Sequence, residues 1–535
     1  MVVKRSTRAG LLASAFVGTW AFAAHAADVP AFYEATTLIR ETCGTCHTDE
    51  GDGKFSRISH MRKTPEGWDM TIGRMIDWHG LKISPTHRER IVKHLADTQG
   101  LAPAETAAYR WSLERRPNVV RPAADETEQA MCGRCHTLAR PALQRRDADQ
   151  WLKLVHTHLG EFPTTEYQAQ SRDRRWWEIA SQEMPQALAS RYGLQSDAWD
   201  SWRDKAINPA DLSGAWSLSG TRPGKGPYVG TMEVERGAKD AYTTRWAIRY
   251  LRNGETAEAS GDVRLFTGYE WRGTSRLGES TVREVYAVSE DGRSLTGRWF
   301  HAEADELGGS MTAVRADGPA TVLHVEPAVI KPGTTTRVTL HGAGLGKGLA
   351  FGPGVNVANV EHAPDGSWVA ADVTTSVDTP AGALAVKAGK AEAVLAVAAD
   401  IDRATVEPPF AIARLGGGST PPVVAQFELV GWLNGPDGKP ETDDDIRVGS
   451  LPATWSVDNF DDVAKEMKDT HFAGRMQHNG LFVPAATGPN PQRPFSGNNA
   501  GNLSVTGTAE FNGKPVEAQG HLIVTVQKWI KRAIE

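Results

Sequence analysis

All four cysteines of the chain lie in two Cys-x-x-Cys-His elements, Cys43-Gly-Thr-Cys46-His47 and Cys132-Gly-Arg-Cys135-His136. Two thiols at this spacing can add across the vinyl groups of a haem, and the adjacent imidazole can ligate its iron. The pattern predicts two covalently bound haem c groups, attached through Cys43, Cys46, Cys132 and Cys135. His47 and His136 are then the proximal iron ligands. A disulfide between the pairs or a zinc site would use the same thiols, but neither needs a histidine directly after each second cysteine. Used this way, no thiol is left over as a nucleophile.

A six-coordinate haem takes a second axial ligand, normally Met or His. Each motif is followed by a loop and then by a helix that opens with tryptophan, Trp68 in one half and Trp151 in the other. Seven residues further on, about two helical turns, stand Met75 and His158, each on its tryptophan's face. The expected pairs are therefore His47/Met75 and His136/His158. Met70 lies about 140° around the helix from Met75, and His156 about 200° from His158, so only one of each pair can face an iron. His79 competes with Met75, and His156 with His158. His60 and His94 sit among charges and are weaker candidates. A thioether favours the reduced iron more than a second imidazole does, so this assignment predicts two different potentials.

The elements that must hold these residues read as helical up to about residue 208. An amphipathic helix, Pro30 to Thr42, runs into the first motif, and Asp125 to Met131 into the second. Ser84-Pro85 starts a helix that Gly100 closes, and 103–115 reads as another. Order is shared between the halves (helix, motif, loop, Trp-led helix), which suits an internal duplication. Beyond 208 the period changes to alternating strands such as Arg245 to Leu251 and Val282 to Val288, with Asn253-Gly254 and Asp291-Gly292 as turns. The expected fold class is multidomain: an all-α dihaem cytochrome c domain (27–208) followed by three all-β domains. These are an antiparallel barrel or sandwich (209–318), an immunoglobulin-like sandwich (319–403) and a C-terminal β-sandwich (404–535).

Lys4, Arg5 and Arg8, the apolar run Leu11 to Ala24 and Ala24-His-Ala26 form a signal-peptide pattern over 1–26, and export to a bacterial periplasm is expected. Cleavage there would move the net charge from −6 to −9, because those three cations leave and no acid does. No later segment reaches the ~18 apolar residues of a membrane helix, and no basic block argues for nucleic acid. Asp443, Asp444 and Asp445 read as a solvated acidic turn, and Trp216, Trp271 and Trp299 as β-core. No nucleophile–base pair is apparent, so no catalytic residue is assigned to this chain.

The two haem motifs, coupled to this β tail and to Asp211-Leu-Ser-Gly-Ala-Trp-Ser-Leu-Ser-Gly220, resemble the α subunit of quinohaemoprotein amine dehydrogenase over nearly the full length. The resemblance implies a periplasmic heterotrimer with a β-propeller subunit and a small subunit carrying a cysteine tryptophylquinone. Primary amines would be oxidised to aldehyde and ammonia at that quinone. Electrons would then pass through this chain's haems to a soluble copper protein or cytochrome c. The family carries one His/Met and one bis-His haem, and its amine site belongs to another chain. Two other classes fit the motifs alone: a dihaem peroxidase, and a stand-alone carrier with β adhesion modules.

Overall fold

A computed structural model describes residues 31–110, 125–133, 136–162, 165–171, 173–418 and 420–526, with side chains from Ala35. The signal-peptide pattern, Cys135 and residues 527–535 lie outside the described residues.

The N-terminal unit is built from two similar halves. In the first, helix α1 (Ala31–Cys43) is followed by the short strands β1 (Asp49–Gly51), β2 (Lys54–Phe55) and β3 (Arg62–Lys63), then by helix α2 (Pro65–His79). Helices α3 (Pro85–Thr98) and α4 (Pro103–Thr106) complete it. The second half runs α5 (Glu126–Cys132), α6 (Ala139–Ala142), β4 (Gln144–Arg145) and α7 (Ala148–Glu161). It continues through α8 (Thr165–Ala169), α9 (Trp176–Glu178), a π turn (Ile179–Glu183), α10 (Met184–Arg191) and α11 (Asp197–Ile207).

The halves correspond around their Trp-led helices. Both Trp-led helices start three residues before the tryptophan, because a polar side chain caps them there: Thr64 accepts from the Gly67 N–H, and Asp147 from the Gln150 N–H. Trp68 and Trp151 are both buried at the fourth helical position. The residue before each cap, Lys63 or Arg146, lays its cation over that tryptophan, at 5.4 and 5.8 Å from the centroid. Strands β3 and β4 then pair antiparallel with each other, Arg62 opposite Arg145 and Lys63 opposite Gln144, so the halves join along a shared seam.

Glu105, its side chain 6% exposed, staples that seam. Its carboxylate accepts both terminal nitrogens of Arg62 at 2.8 Å, Nε of Arg145 at 3.0 Å, the Ala102 N–H at 2.8 Å and the Ser196 hydroxyl at 2.8 Å. Burial alone would raise its pKa, but the hydrogen bonds and charges of Arg62 and Arg145 win and pull it down to about 2.

The expectation of an all-α first domain followed by all-β domains is corrected. The first unit's helices are short, none longer than 15 residues among those described, and two two-stranded sheets tie them together. Only Pro103–Thr106 of the helix expected over 103–115 is helical, residues 107–110 form a turn, and 111–115 lie outside the described residues. Over the described residues, strand exceeds helix, 43% against 24%. The fourth unit is not purely β either, since it carries the short helices Asp462–Met467 and Asp469–Phe472. Seam strands of two residues have no periodicity, so a helical reading of that unit passes over them.

The second unit is a closed eight-stranded antiparallel barrel from Gly214 to Arg315, each strand paired with its neighbour in sequence and the last with the first. Alternation places one face inward, as in Ala241–Tyr250, where every second residue from Tyr242 is buried. Trp216, Trp246, Trp271, Trp299 and five tyrosines fill the interior. Gly254 and Gly292 supply the positive φ (72° and 70°) of its turns.

The third unit packs two four-stranded sheets around one core, and the fourth combines a four-stranded sheet with two three-stranded ones. Helix α11 inserts Trp199, Trp202 and Ala206 into the barrel's own core. Trp202 Nε1 donates to the Thr267 carbonyl (2.8 Å), and the Thr267 N–H donates to Asp97 on α3 (2.8 Å). Glu66 on α2 takes Arg272 of the barrel in two hydrogen bonds, 2.5 and 3.3 Å. The haem-motif unit is therefore seated on one end of the barrel. Among the described residues no helix is long and apolar enough to cross a membrane.

Candidate haem-binding site

Each motif begins on the last residue of its helix, Cys43 on α1 and Cys132 on α5. The glycine that follows is required by close approach. A Cβ on Gly44 would meet the Arg40 carbonyl oxygen at 2.4 Å, and one on Gly133 the Gln129 oxygen at 2.8 Å. The chain then turns tightly, with the His47 N–H on the Cys43 carbonyl at 2.9 Å, which keeps Cys43 and His47 together. Burial pushes the Cys43 thiol up to about 11 and the Cys132 thiol up to about 12, so neither is a thiolate at neutral pH.

His136 and His158 are brought face to face, their ring centroids 6.4 Å apart and their planes inclined by 48°. An imidazole nitrogen sits about 2 Å from the metal it binds, so two rings opposed across one ion have centroids about 6 Å apart. The spacing fits a shared iron. Each ring is also oriented through Nδ1: that of His136 donates to the Thr137 carbonyl (3.0 Å) and that of His158 to the Leu154 carbonyl (2.8 Å). A carbonyl can only accept, so the proton is on Nδ1 and Nε2 keeps a lone pair for iron. Burial lowers the pKa of His136 to about 4 and that of His158 in the same direction, which keeps both rings neutral.

In the first half the Nδ1 of His47 donates to the Ser56 carbonyl (2.9 Å), leaving its Nε2 free in the same way. Cys43 packs with Ile58, Ile76 and Leu81 against an apolar cluster that includes Trp68 and Ile72. Met75 lies half-buried on α2, one turn after Ile72, and its carbonyl accepts the N–H groups of Gly80 and Leu81 at the helix end. Met70 instead packs with Leu101, Ala139 and Leu143 toward the other half. His79 is exposed, His60 pairs with Glu50 (2.8 Å), and His94 lies beside Lys93 and Lys239 with its pKa lowered by burial to about 4. His156 turns outward and meets the edge of Trp177 at 5.0 Å. The two halves also touch through aromatic rings. Trp78 at the end of α2 packs on Phe162 (5.3 Å), and Phe162 on His158 (5.2 Å).

Four family models match successive stretches of the chain between residues 33 and 534. Residues 33–199 match "Quinohemoprotein amine dehydrogenase A, alpha subunit, haem binding". Residues 209–316, 319–399 and 404–534 match that subunit's domains II, III and IV. The chain belongs to the quinohaemoprotein amine dehydrogenase α-subunit family. Its first unit is thus a haem-binding domain, and the chain is a subunit of an oxidoreductase. No curated protein matches. Among solved structures, a de novo designed fluorescence-activating β-barrel is 17% identical, covering 21% of this chain and 96% of its own, with TM-score 0.17. A Bacteroides ovatus mixed-linkage glucan utilization protein is 12% identical over 58% of this chain and 60% of its own, TM-score 0.18. Zebrafish RET cadherin-like domains 1 to 4 are 12% identical over 58% and 66%, TM-score 0.17. At such scores these likenesses carry no argument.

One group of residues at this family's haem unit escapes sequence reasoning. Arg57, Lys63 and Arg74 from the first half and Arg140 and Arg146 from the second lie within electrostatic reach of one another at the seam. Arg74, Arg140 and Arg146 each act electrostatically on His158. A buried cation looks like any other Lys or Arg in sequence; the one hint was that Lys63 and Arg146 each stand just before a helix cap.

Proposed function

We propose that this chain is the dihaem electron-transfer subunit of a periplasmic quinohaemoprotein amine dehydrogenase. It passes electrons from a cysteine tryptophylquinone in a small partner subunit to a soluble copper protein or cytochrome c. Bound haems would supply one-electron carriers between a two-electron amine oxidation and that acceptor. Cys43, Cys46, Cys132 and Cys135 hold two covalent haem c groups. His47 with Met75 and His136 with His158 are the axial pairs, and the backbone carbonyls on Nδ1 orient the three imidazoles. Oxidation of the primary amine takes place on another chain, so no catalytic residue is assigned here.

The observation that carries this reading is the pair His136/His158, opposed at 6.4 Å with both tautomers set for metal binding, inside a unit matched as haem-binding. The remaining domains (209–318, 319–403 with an immunoglobulin-like topology, and 404–535) serve as the scaffold on which the β-propeller and quinone subunits assemble into a heterotrimer. Residues 1–26 direct export.

Purification of the native complex, with subunit masses and covalent haem counted together, tests the whole reading. Two haems per chain and co-purification with a quinone-bearing small subunit are expected. Recovery of this chain alone, without such a subunit, would sink it in favour of a stand-alone carrier.

A further inference from the structure

Five cations gather at the seam without a matching set of acids. Lys63 and Arg146 are 3% and 2% exposed, and Arg57, Arg74 and Arg140 are half-buried. They are close enough to disfavour one another's charge: Lys63 feels Arg146, Arg74 and Arg57, Arg146 feels Arg57 and Arg74, and Arg74 feels Arg140. Among the described residues none is in an ion pair with a carboxylate. Their partners are neutral: Lys63 and Arg74 donate to the Thr71 hydroxyl (2.6 and 3.1 Å), and Arg146 Nε donates to the Gln144 side-chain oxygen (3.0 Å). Asp147, the cap of α7, acts on Arg146, and Asp149, which pairs with Lys153, acts on Arg57, so five cations face two acids. Two buried donor atoms are left over, Nε of Arg57 and Nη1 of Arg146. Arg57 is also held at φ 67°, a left-handed conformation that a non-glycine residue adopts at a cost.

Taking cations out of water is unfavourable unless they are paired, and a seam that holds five of them, two buried and three half-buried, against two acids keeps a positive excess that an anion would balance. Position says which anion. Arg57 follows Ser56, whose carbonyl orients His47; Arg74 precedes Met75 on α2; Arg140 stands on α6, just after His136; and Arg146 lies over Trp151 on α7, the helix that carries His158. A haem seated at either site brings a pair of propionate carboxylates to its edge, and arginine is suited to bidentate carboxylate binding.

We propose that Arg57, Lys63, Arg74, Arg140 and Arg146 form a common cradle for the propionates of the haems, one that sets their potentials. The cradle rests on the two-haem reading above. A propionate left without a cation places negative charge near the iron and favours the oxidised form. The cradle therefore raises the potential, and each cation removed should lower it.

The test uses the holoprotein. In Arg146→Gln and Lys63→Gln, covalent haem is counted and both midpoints are titrated. Expected are two haems per chain and at least a tenfold shift of one haem's reduction equilibrium toward the oxidised form, a fall of about 59 mV. Arg146→Lys should recover most of it. If either buried variant fails to accumulate, the half-buried Arg57→Gln gives the same readout. Redox-difference infrared spectra of the wild type, with the propionates labelled, should show ionised, ion-paired carboxylates indifferent to bulk salt. Unchanged midpoints with both haems present, or propionate bands that follow bulk salt, overturn the cradle and leave it as a site for a free anion or a partner's carboxylate. Absence of covalent haem in the wild type would instead remove the reading beneath it.

Discussion

For a single histidine, the hydrogen bond on Nδ1 decides what the other nitrogen can do. His47, His136 and His158 each donate to a backbone carbonyl, whereas His60 pairs with Glu50 and His156 turns to Trp177. Replacing His158 with Ala should leave one haem five-coordinate, so that low-spin absorption falls by about half while covalent haem is unchanged. Retention of two low-spin haems would remove His158 from the ligand set. Met75→Ala should abolish the long-wavelength thioether-to-ferric band and lower the potential of the first haem by roughly 59 mV or more. An intact band would return the position to a rival such as His79.

Among the elements, the seam between β3 and β4 depends on Glu105 more than on its own short ladder. The Glu105 carboxyl is held at about 2 against an ordinary 4.5, so its stabilisation is complete above pH 4.5 and is lost as pH falls through about 2. That shift corresponds to roughly 3 kcal/mol. Glu105→Gln leaves Arg62 and Arg145 buried without their counter-charge, and should cost about 3–5 kcal/mol in denaturant unfolding at pH 7. It should also flatten the stability profile between pH 4.5 and 2; an unchanged profile would mean that other carboxylates dominate acid unfolding. Much of the elements' layout was legible. Ser84-Pro85 starts α3 as read, the Asn253-Gly254 and Asp291-Gly292 turns stand between barrel strands, and seven-residue spacing after Trp68 and Trp151 finds equivalent positions of α2 and α7. Hidden were the contacts that join distant positions. Glu105 reads as an ordinary helix acid, and Arg62 and Arg145 as surface charges, until the halves meet. Thr64-Pro65 carries the same start signal as Ser84-Pro85, an N-cap hydroxyl followed by proline.

At the scale of the molecule, the change of period near residue 208 does not mark a break in packing. Trp199 and Trp202 belong to the barrel core, and Glu66 of α2 is fixed by Arg272 of the barrel, so the helix carrying Met75 is referenced to a rigid β frame. The barrel's filled interior was readable from its alternation; which end of it receives α11 was not, since nothing local in Asp197–Ile207 names its partner.

The seam also governs how the first unit can form. Arg62 and Arg145 stand 83 positions apart, from 62 to 145, and closing a loop of that length costs roughly 4 kcal/mol of chain entropy. Neither half can meet this alone, because the ladder and the Glu105 staple draw on both. High contact order of this kind belongs to slow steps. The two half-sites are therefore expected to close in one late step, and pulse-labelled amide exchange should protect residues 62–63 and 144–145 together.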